Sequence, residues 1–386
     1  MKPAAAILLA AVWSFALADS MGGSTAARAD EQREAVSLIK SDLDRLLSLQ
    51  DSAASGNLEA AAQQKLILPR LTNALKTAAD STLPNLIDES IAYVLSGGDP
   101  ALAERVSKAA GVSGERQNLL KAVAAFMGGN RDSAAQLFER IEPIGLPARL
   151  VGRVALAKAL LTKAEERQRY FRIAMASMPG TLVEESALRR STLAYAEAYE
   201  ERNMWKVLDR YVRRFPSSVY AGDFWKQMAI ALCAWPAESP LPSFERLDGI
   251  TAKLPLDQRR SIYLSLARAA AAKGLPDLTS FAGSRLSTLS AEGTDDEQLG
   301  RFYANLFEIV TEDGDTALRQ LRGIRAEALG VQEKSLLNAA MSLGLQIESP
   351  PEGKLVGTNE PEEKGITEKR GAELLAQSYQ LVADSN

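Results

Sequence analysis

Apolar side chains recur at helical spacing along most of this chain, and this periodicity restricts the fold more than any other feature. Trp205, Leu208, Tyr211 and Phe215 lie at offsets of 0, 3, 6 and 10 residues, which places them on one face of an α-helix. No convincing run alternates apolar and polar residues with the period of two that a half-buried strand requires. The sequence therefore predicts an all-α fold. Comparable apolar stripes occur at 119–126, 188–199, 278–289 and 318–328.

Glycine and proline residues divide the predicted helices into pairs. Pro179 and Pro216 each follow the second helix of a pair, and they lie 37 residues apart. This distance is close to the period of about 34 residues in tetratricopeptide arrays, whose helix pairs bury their apolar stripes against their neighbours. We predict a tetratricopeptide-like helical-repeat superhelix, with an irregular helical bundle as the alternative. Helix pairs are predicted at 114–142, 147–178, 182–215, 256–290 and 296–327.

Two helix boundaries carry specific capping signals. The segment Gly97–Pro100 combines two glycines, which are typical of a helix C-terminus, with an Asp-Pro pair, which is typical of a helix start. Thr181 is followed three residues later by Glu184, which predicts a capping box at the start of another helix.

The N-terminal residues have the pattern of a secretory signal peptide. Lys2 precedes an apolar run from Ala4 to Ala16, and small residues at the spacing of a cleavage site end at Ala18 and again at Ala29. The alternative, a membrane anchor, would need roughly 20 apolar residues, and this run is shorter. We expect a signal peptide over 1–29, cleaved after Ala18 or Ala29, and a periplasmic mature protein that does not span the membrane.

Changes in composition divide the rest of the chain. A helical-repeat domain is predicted over 30–345. The stretch 346–366 is rich in Pro, Gly and Glu and is typical of an exposed linker. Residues 367–386 are predicted to form a C-terminal amphipathic helix. This helix either docks on the repeat domain or binds a partner, and docking is the preferred interpretation.

Several classes of function are disfavoured by the composition. The chain contains no histidine, which excludes a Ser-His-Asp triad, a Cys-His nucleophile and an imidazole metal site. Cys233 is the single cysteine and lies in an apolar run, so we expect it to be a buried core residue. The net charge of −4 argues against nucleic-acid binding. We expect no metal and no cofactor.

Two glutamates are candidates for a catalytic acid. Glu89 and Glu185 each precede a serine, as in a segment of the lytic transglycosylases, whose chemistry depends on one buried acid. No segment around either residue resembles a catalytic domain of that class. We therefore expect both glutamates to have structural roles and the protein not to be an enzyme.

Arginines are the candidate partner-binding residues. They cluster on two consecutive predicted helices, and a basic ridge on an acidic protein would suit an acidic partner. The alternative is a solvated face on which arginines form salt bridges with neighbouring acidic residues. The candidate set is Arg189, Arg190, Arg210, Arg213 and Arg214.

Four segments resemble, in the same order, the MotC family of periplasmic motility proteins, whose members are sometimes labelled chemotaxis proteins. The resemblance covers roughly residues 85–290 and rests on helical segments without a catalytic motif. The segments are VLSGGDP at 94–100, PGTLVEESALRRS at 179–191, RYVRRFP at 210–216 and RSIYLSLARAA at 260–270.

The resemblance implies a function that composition alone does not. Members of the family are exported, are needed for flagellar rotation, have no enzyme activity, and act with the periplasmic part of the stator protein MotB. A MotB-binding motility protein is therefore the leading hypothesis. The alternative is a general tetratricopeptide-like envelope scaffold for peptidoglycan or secretion machinery, and an enzyme acting on peptidoglycan is a distant third.

Overall fold

The computed structural model describes residues 7–235, 244–311 and 313–348, and their side chains from Asp30 onward apart from those of Glu165 and Glu348. Over these residues the chain forms α-helices, three short 3-10 helices and no β-strand, which confirms the all-α prediction. The α-helices are α1 Ile7–Ala54, α2 Leu58–Thr77, α3 Ile87–Leu95, α4 Pro100–Ser107, α5 Gly114–Met127, α6 Arg131–Glu139, α7 Ala148–Ala159, α8 Ala164–Ser177, α9 Leu182–Glu197, α10 Glu201–Arg214, α11 Ala221–Cys233, α12 Phe244–Thr251, α13 Leu256–Ala272, α14 Pro276–Leu289, α15 Asp295–Asn305, α16 Gly314–Arg322 and α17 Val331–Glu348.

The chain divides into two compact units, Met1–Ala187 and Leu188–Asn386. In the N-terminal unit, α1 packs on α2, α5 packs on α4 and α6, α7 packs on α8, and α3 contacts α5 and α7. Its core is built from leucine and isoleucine side chains on different helices, each of which contributes about 1.5–3 kcal/mol when fully buried. Among these core residues are Leu43, Leu46, Leu71, Ile91 and Leu119.

The C-terminal unit is also built from contacts between helices that are near one another in sequence. Helix α13 packs on α11 and α14, and α14 packs on α15. Glu333 of α17 is buried and accepts hydrogen bonds from Arg268 Nε at 2.9 Å and from Tyr303 Oη at 3.1 Å. This buried carboxylate therefore connects α17 with α13 and α15.

Each predicted helix pair coincides with two consecutive helices of the structure. The five predicted pairs correspond to α5–α6, α7–α8, α9–α10, α13–α14 and α15–α16. Helix lengths are uneven, since α4 and α12 have 8 residues whereas α2 has 20. The tetratricopeptide-like superhelix stays a prediction, because local pairing of unequal helices does not by itself establish a repeat.

The predicted boundary between α3 and α4 is confirmed. Gly97 has φ +97°, in the left-handed region that favours glycine, and the Gly98 amide donates to the Tyr93 carbonyl at 3.0 Å. The Asp99 carboxylate accepts from the Ala101 amide at 3.0 Å, and Pro100 is the first residue of α4.

The capping box predicted at the start of α9 forms in a modified arrangement. Thr181 Oγ1 accepts from the Val183 amide at 3.2 Å, and Glu184 Oε2 accepts from the Gly180 amide at 2.7 Å. The Glu184 carboxylate therefore reaches one residue further back than in the standard box, in which it would bind the amide of the capping residue.

Glycines allow α14 and α15 to approach backbone to backbone. A Cβ atom on Gly283 would lie 2.3 Å from the Ala304 backbone nitrogen, and one on Gly300 would lie 2.3 Å from the Ser287 nitrogen. Such distances are far inside van der Waals contact, so these two positions admit no larger residue without a shift of the helices.

Two described helices cross the predicted segment boundaries. Helix α1 runs through both proposed cleavage points, and its first buried side chain from Asp30 onward is that of Ile39. Helix α17 continues to Glu348, so residues 346–348 of the predicted linker are helical. The rest of that linker and the predicted helix at 367–386 lie outside the described residues. Within the described part of the chain, no helix is long and apolar enough to cross a membrane.

Candidate functional site

The five candidate arginines belong to the C-terminal unit and lie on α10 and on the part of α9 that follows the boundary at Ala187. Arg190 on α9 is exposed and Arg189 beside it is half-buried. The other three arginines occupy the last turns of α10, where all of them are exposed and where positive charge is favourable to the helix dipole. These three are Arg210, Arg213 and Arg214.

The α10 arginines do not form a purely basic surface. Asp209 lies among them, and its Oδ2 atom is 2.9 Å from Arg213 Nη2. Lys253 also forms an ion pair with the Asp209 carboxylate. The guanidinium of Arg214 lies over the Phe215 ring, 6.0 Å from its centroid. Part of this arginine cluster is therefore engaged in ion pairs with an acidic neighbour, which was the alternative to a basic ridge.

The Glu89 side chain is buried and lies beside two cations from other helices. Its carboxylate is 8 % exposed and lies 3.5 Å from Arg149 Nη1 and 3.7 Å from Lys40 Nζ. The three residues belong to α3, α7 and α1, so their charges connect three helices of the N-terminal unit. Glu185 is fully buried within α9.

Cys233 is buried at the end of α11, as expected for a core cysteine. Burial raises the pKa of its thiol to about 12, against a smaller opposing effect of the Lys273 charge. The thiol therefore stays protonated near neutral pH and is a poor nucleophile. Among the described side chains, no group of three or more His, Cys, Asp and Glu residues is placed to hold a metal ion.

Two adjoining concavities in the N-terminal unit form a surface that the sequence analysis missed. The larger, of about 1040 Å³, lies between α5, α6 and the loop 140–147, and the smaller, of about 460 Å³, lies between α6, α7 and α8. We call them together the α6 groove. Gln136, Glu139 and Glu142 line both parts.

Buried Lys158 fixes the loop that borders the α6 groove. Its side chain is only 6 % exposed, and Nζ donates to the carbonyl oxygens of Ile141 at 2.7 Å and Glu139 at 3.3 Å. The same atom lies 3.5 Å from the Glu142 carboxylate and 4.8 Å from the centroid of the Tyr170 ring. Lys158 thus satisfies carbonyl groups at the end of α6 that have no partner within the helix.

The charged side chains that line the α6 groove balance in number. They are four glutamates and four cations, namely Glu115, Glu139, Glu142, Glu166, Arg116, Arg140, Lys158 and Arg169. A weak signal for the groove exists in the sequence. Ile144, an apolar residue inside the turn-rich loop, is 65 % exposed and lines the larger part.

Nearly the whole chain matches a known protein family. A family model described as "Chemotaxis protein MotC" matches residues 1–384. A protein named "Chemotaxis protein MotC" from Rhizobium meliloti (strain 1021) is 25% identical over 315 residues, which cover 79% of this chain and 71% of that protein. No solved structure matches the chain.

Proposed function

Because this chain belongs to the MotC family, we propose that it is a non-enzymatic periplasmic protein needed for flagellar rotation, which binds and supports the periplasmic part of the stator protein MotB. The observation that carries the proposal is the family match over residues 1–384, whose description names a chemotaxis protein. The match extends well beyond the 85–290 region in which ordered segments resemble the family, and it covers the predicted signal peptide and all but the last two residues of the predicted C-terminal helix.

Export to the periplasm is supported by the N-terminal pattern and by the burial along α1. Side chains from Asp30 to Leu38 contribute little to the core, which begins at Ile39. A mature chain that begins at Asp30 would therefore retain the core from Ile39 onward. N-terminal sequencing of protein from the periplasmic fraction tests this, and a cytoplasmic protein that retains Met1 would contradict it.

A binding function is supported by the environments of Glu89 and Cys233. Glu89 is engaged by two cations at the junction of three helices, and burial keeps the Cys233 thiol protonated. Such environments are typical of structural residues. Changing Glu89 to Gln should leave peptidoglycan turnover unchanged, and a loss of turnover would favour an enzyme instead.

Direct binding is the decisive experiment. The processed protein, isolated from the periplasm, is titrated against the purified periplasmic domain of MotB from the same organism by calorimetry. We expect saturable binding with a dissociation constant of about 1 μM or tighter. In cells, deletion of the gene should leave assembled but non-rotating flagella, and normal swimming of the deletion strain would contradict the proposal.

Substitutions of two candidate arginines test whether α10 takes part in binding. Arg213→Glu and Arg214→Glu together should weaken binding if α10 contacts the partner, whereas Arg172→Glu, at an exposed position on α8, is the matched control. Unchanged binding of the double variant would remove α10 from the interface.

A general envelope scaffold is the second candidate. The packing of each helix on near neighbours in sequence supports it, because helical arrays of that kind commonly serve as binding surfaces. Absence of MotB binding by a folded protein, together with normal motility of the deletion strain, would favour this scaffold.

A further inference from the structure

We propose that the C-terminal segment 367–386 docks, within its own chain, on an apolar stripe of α17 and covers the end of the C-terminal unit. The sequence left open whether this segment docks or binds a partner, and α17 provides a specific surface for docking. Neither the stripe nor the segment belongs to the surface proposed above for MotB binding, so the docking is independent of the proposed function.

Helix α17 has one buried side and a second, apolar stripe that is not fully covered. Leu337, Met341 and Leu345 of this second stripe lie at offsets of 0, 4 and 8 residues. The first two are half-buried, and Leu345 is 51 % exposed. The described helices therefore leave apolar surface of α17 in contact with water. The buried side consists of Glu333, Leu336, Ala340 and Gly344.

Two contacts prevent α17 from turning its second stripe inward. The buried Glu333 carboxylate accepts hydrogen bonds from Arg268 Nε at 2.9 Å and from Tyr303 Oη at 3.1 Å. Further along the helix, a Cβ atom on Gly344 would lie 2.3 Å from Leu318 Cδ2, so α16 and α17 are in close contact there. Because these contacts fix the orientation of α17 about its axis, the second stripe requires a cover from outside the described helices.

The C-terminal segment lies outside the described residues, and its sequence has a matching apolar stripe. Ala372, Leu375, Tyr379 and Val382 lie at offsets of 0, 3, 7 and 10 residues, which would place them on one side of a helix. In proteins, an amphipathic helix gains most of its stability from packing its apolar side. The segment therefore requires a surface such as the second stripe of α17.

Polar residues recur on the opposite side of the same predicted helix. They would face water once the apolar stripe is packed, whereas the exposed part of Leu345 would be removed from water. A terminal helix with one apolar and one polar side is typical of the element that covers the end of a helical array. These polar residues are Glu373, Gln377, Gln380 and Asp384.

The covalent connection favours this segment over a free partner. Residues 349–366 join it to the end of α17 and can span up to about 60 Å when extended. Packed helices lie only about 8–10 Å apart, so the segment can return along the whole of α17, which has 18 residues. A connection of this kind gives the segment an effective concentration in the millimolar range. Even a weak contact with the stripe would therefore be occupied.

The test is hydrogen exchange measured by mass spectrometry on the full processed protein, at high and at low protein concentration. The segment variant combines Leu375→Glu and Tyr379→Glu. Its control combines Gln377→Glu and Gln380→Glu, which adds the same charge to the polar side of the segment.

Substitutions on α17 test the other side of the same contact. Leu345→Glu is the stripe variant, and Gln346→Glu, at the exposed neighbouring position, is its control. Met341→Glu is a second stripe variant. Circular dichroism melting shows whether each variant is folded. The segment variant changes no residue of the described core, so it remains informative if a substitution on α17 prevents folding.

We expect amides of 372–383 to exchange at least about 10-fold more slowly than those of 349–366, because strong protection of a single short helix requires packing. The segment variant and both stripe variants should reduce this difference to less than about twofold, and the two controls should retain it. The segment variant should also accelerate exchange in the last turns of α17.

Four results would overturn the docking. The segment could exchange as fast as 349–366, or its protection could survive both stripe variants, which would place it on another surface. Protection that disappears on dilution would assign the contact to a second copy of the chain. If the segment exchanges freely and α17 is protected only after the periplasmic domain of MotB is added, the stripe binds the partner instead.

Discussion

The Asp51 carboxylate accepts a hydrogen bond from the backbone N–H of Leu182 at 2.8 Å, across 131 residues of sequence. The last turn of α1 therefore caps the first turn of α9, where N–H groups have no partner within the helix. Burial raises the pKa of Asp51 above its ordinary value of 3.8, although this hydrogen bond and the charge of Arg153 both act to lower it. Within the N-terminal unit, this contact connects the end of α1 with the first turn of α9, close to the unit's boundary at Ala187.

Asp51→Ala should destabilise the N-terminal unit by about 1–2 kcal/mol, because it leaves the Leu182 amide without its acceptor. Hydrogen exchange measured by mass spectrometry should show faster exchange at the start of α9. Glu34→Ala, at an exposed position of the same helix, is the control and should change neither stability nor exchange. Unaltered exchange in the Asp51 variant would show that the cap contributes nothing.

The stability should also depend on pH through Asp51. Since the folded-state pKa is raised, folding favours the protonated carboxyl. The part of its contribution that depends on protonation is therefore fully present below pH 3.8 and is lost as the pH rises through the folded-state pKa, whereas the carboxyl oxygen accepts the Leu182 hydrogen bond in either state. Denaturant titrations at several pH values should show the wild type losing stability relative to Asp51→Asn over that interval. A gain with rising pH would contradict the assigned direction.

Gly283→Ala should destabilise the C-terminal unit by about 1–3 kcal/mol or more, because the new methyl group meets the backbone of α15. Gly300→Ala should act in the same way from the other helix. Gly249→Ala is the matched control, since nothing lies within 4 Å of its Cβ position in α12 and alanine is the better helix former. Equal melting temperatures of the three variants would refute the close approach of α14 and α15.

Lys158→Met should destabilise the protein by about 1–3 kcal/mol, because the carbonyl groups of Glu139 and Ile141 and the Glu142 carboxylate lose their buried donor. The loop 140–147 should become more sensitive to proteases. Lys163→Met removes the same charge at an exposed position and is the control. If both variants melt at the wild-type temperature, Lys158 does not hold the loop.

The helices themselves were accessible to sequence analysis, because their signals are local. Apolar stripes such as Trp205 to Phe215 identify the buried face of one helix, and the described Trp205, Leu208, Tyr211 and Phe215 are all buried. The boundary at Gly97–Pro100 was predictable for the same reason, since a left-handed glycine and an Asp N-cap act within a few residues. Ordered segments likewise identified the family, which the match over 1–384 confirms.

What only the tertiary structure decided is which helices meet. An apolar stripe specifies a buried face but not its partner, so neither the Asp51 contact with α9 nor the backbone contact at Gly283 could be inferred from spacing. The same limit applies to the binding surfaces. Asp209 and Lys253 are 44 residues apart in sequence, and only folding brings the lysine to the carboxylate that lies among the α10 arginines. The α6 groove has no motif, because its lining side chains come from four helices and a loop and acquire a common surface only when those helices pack.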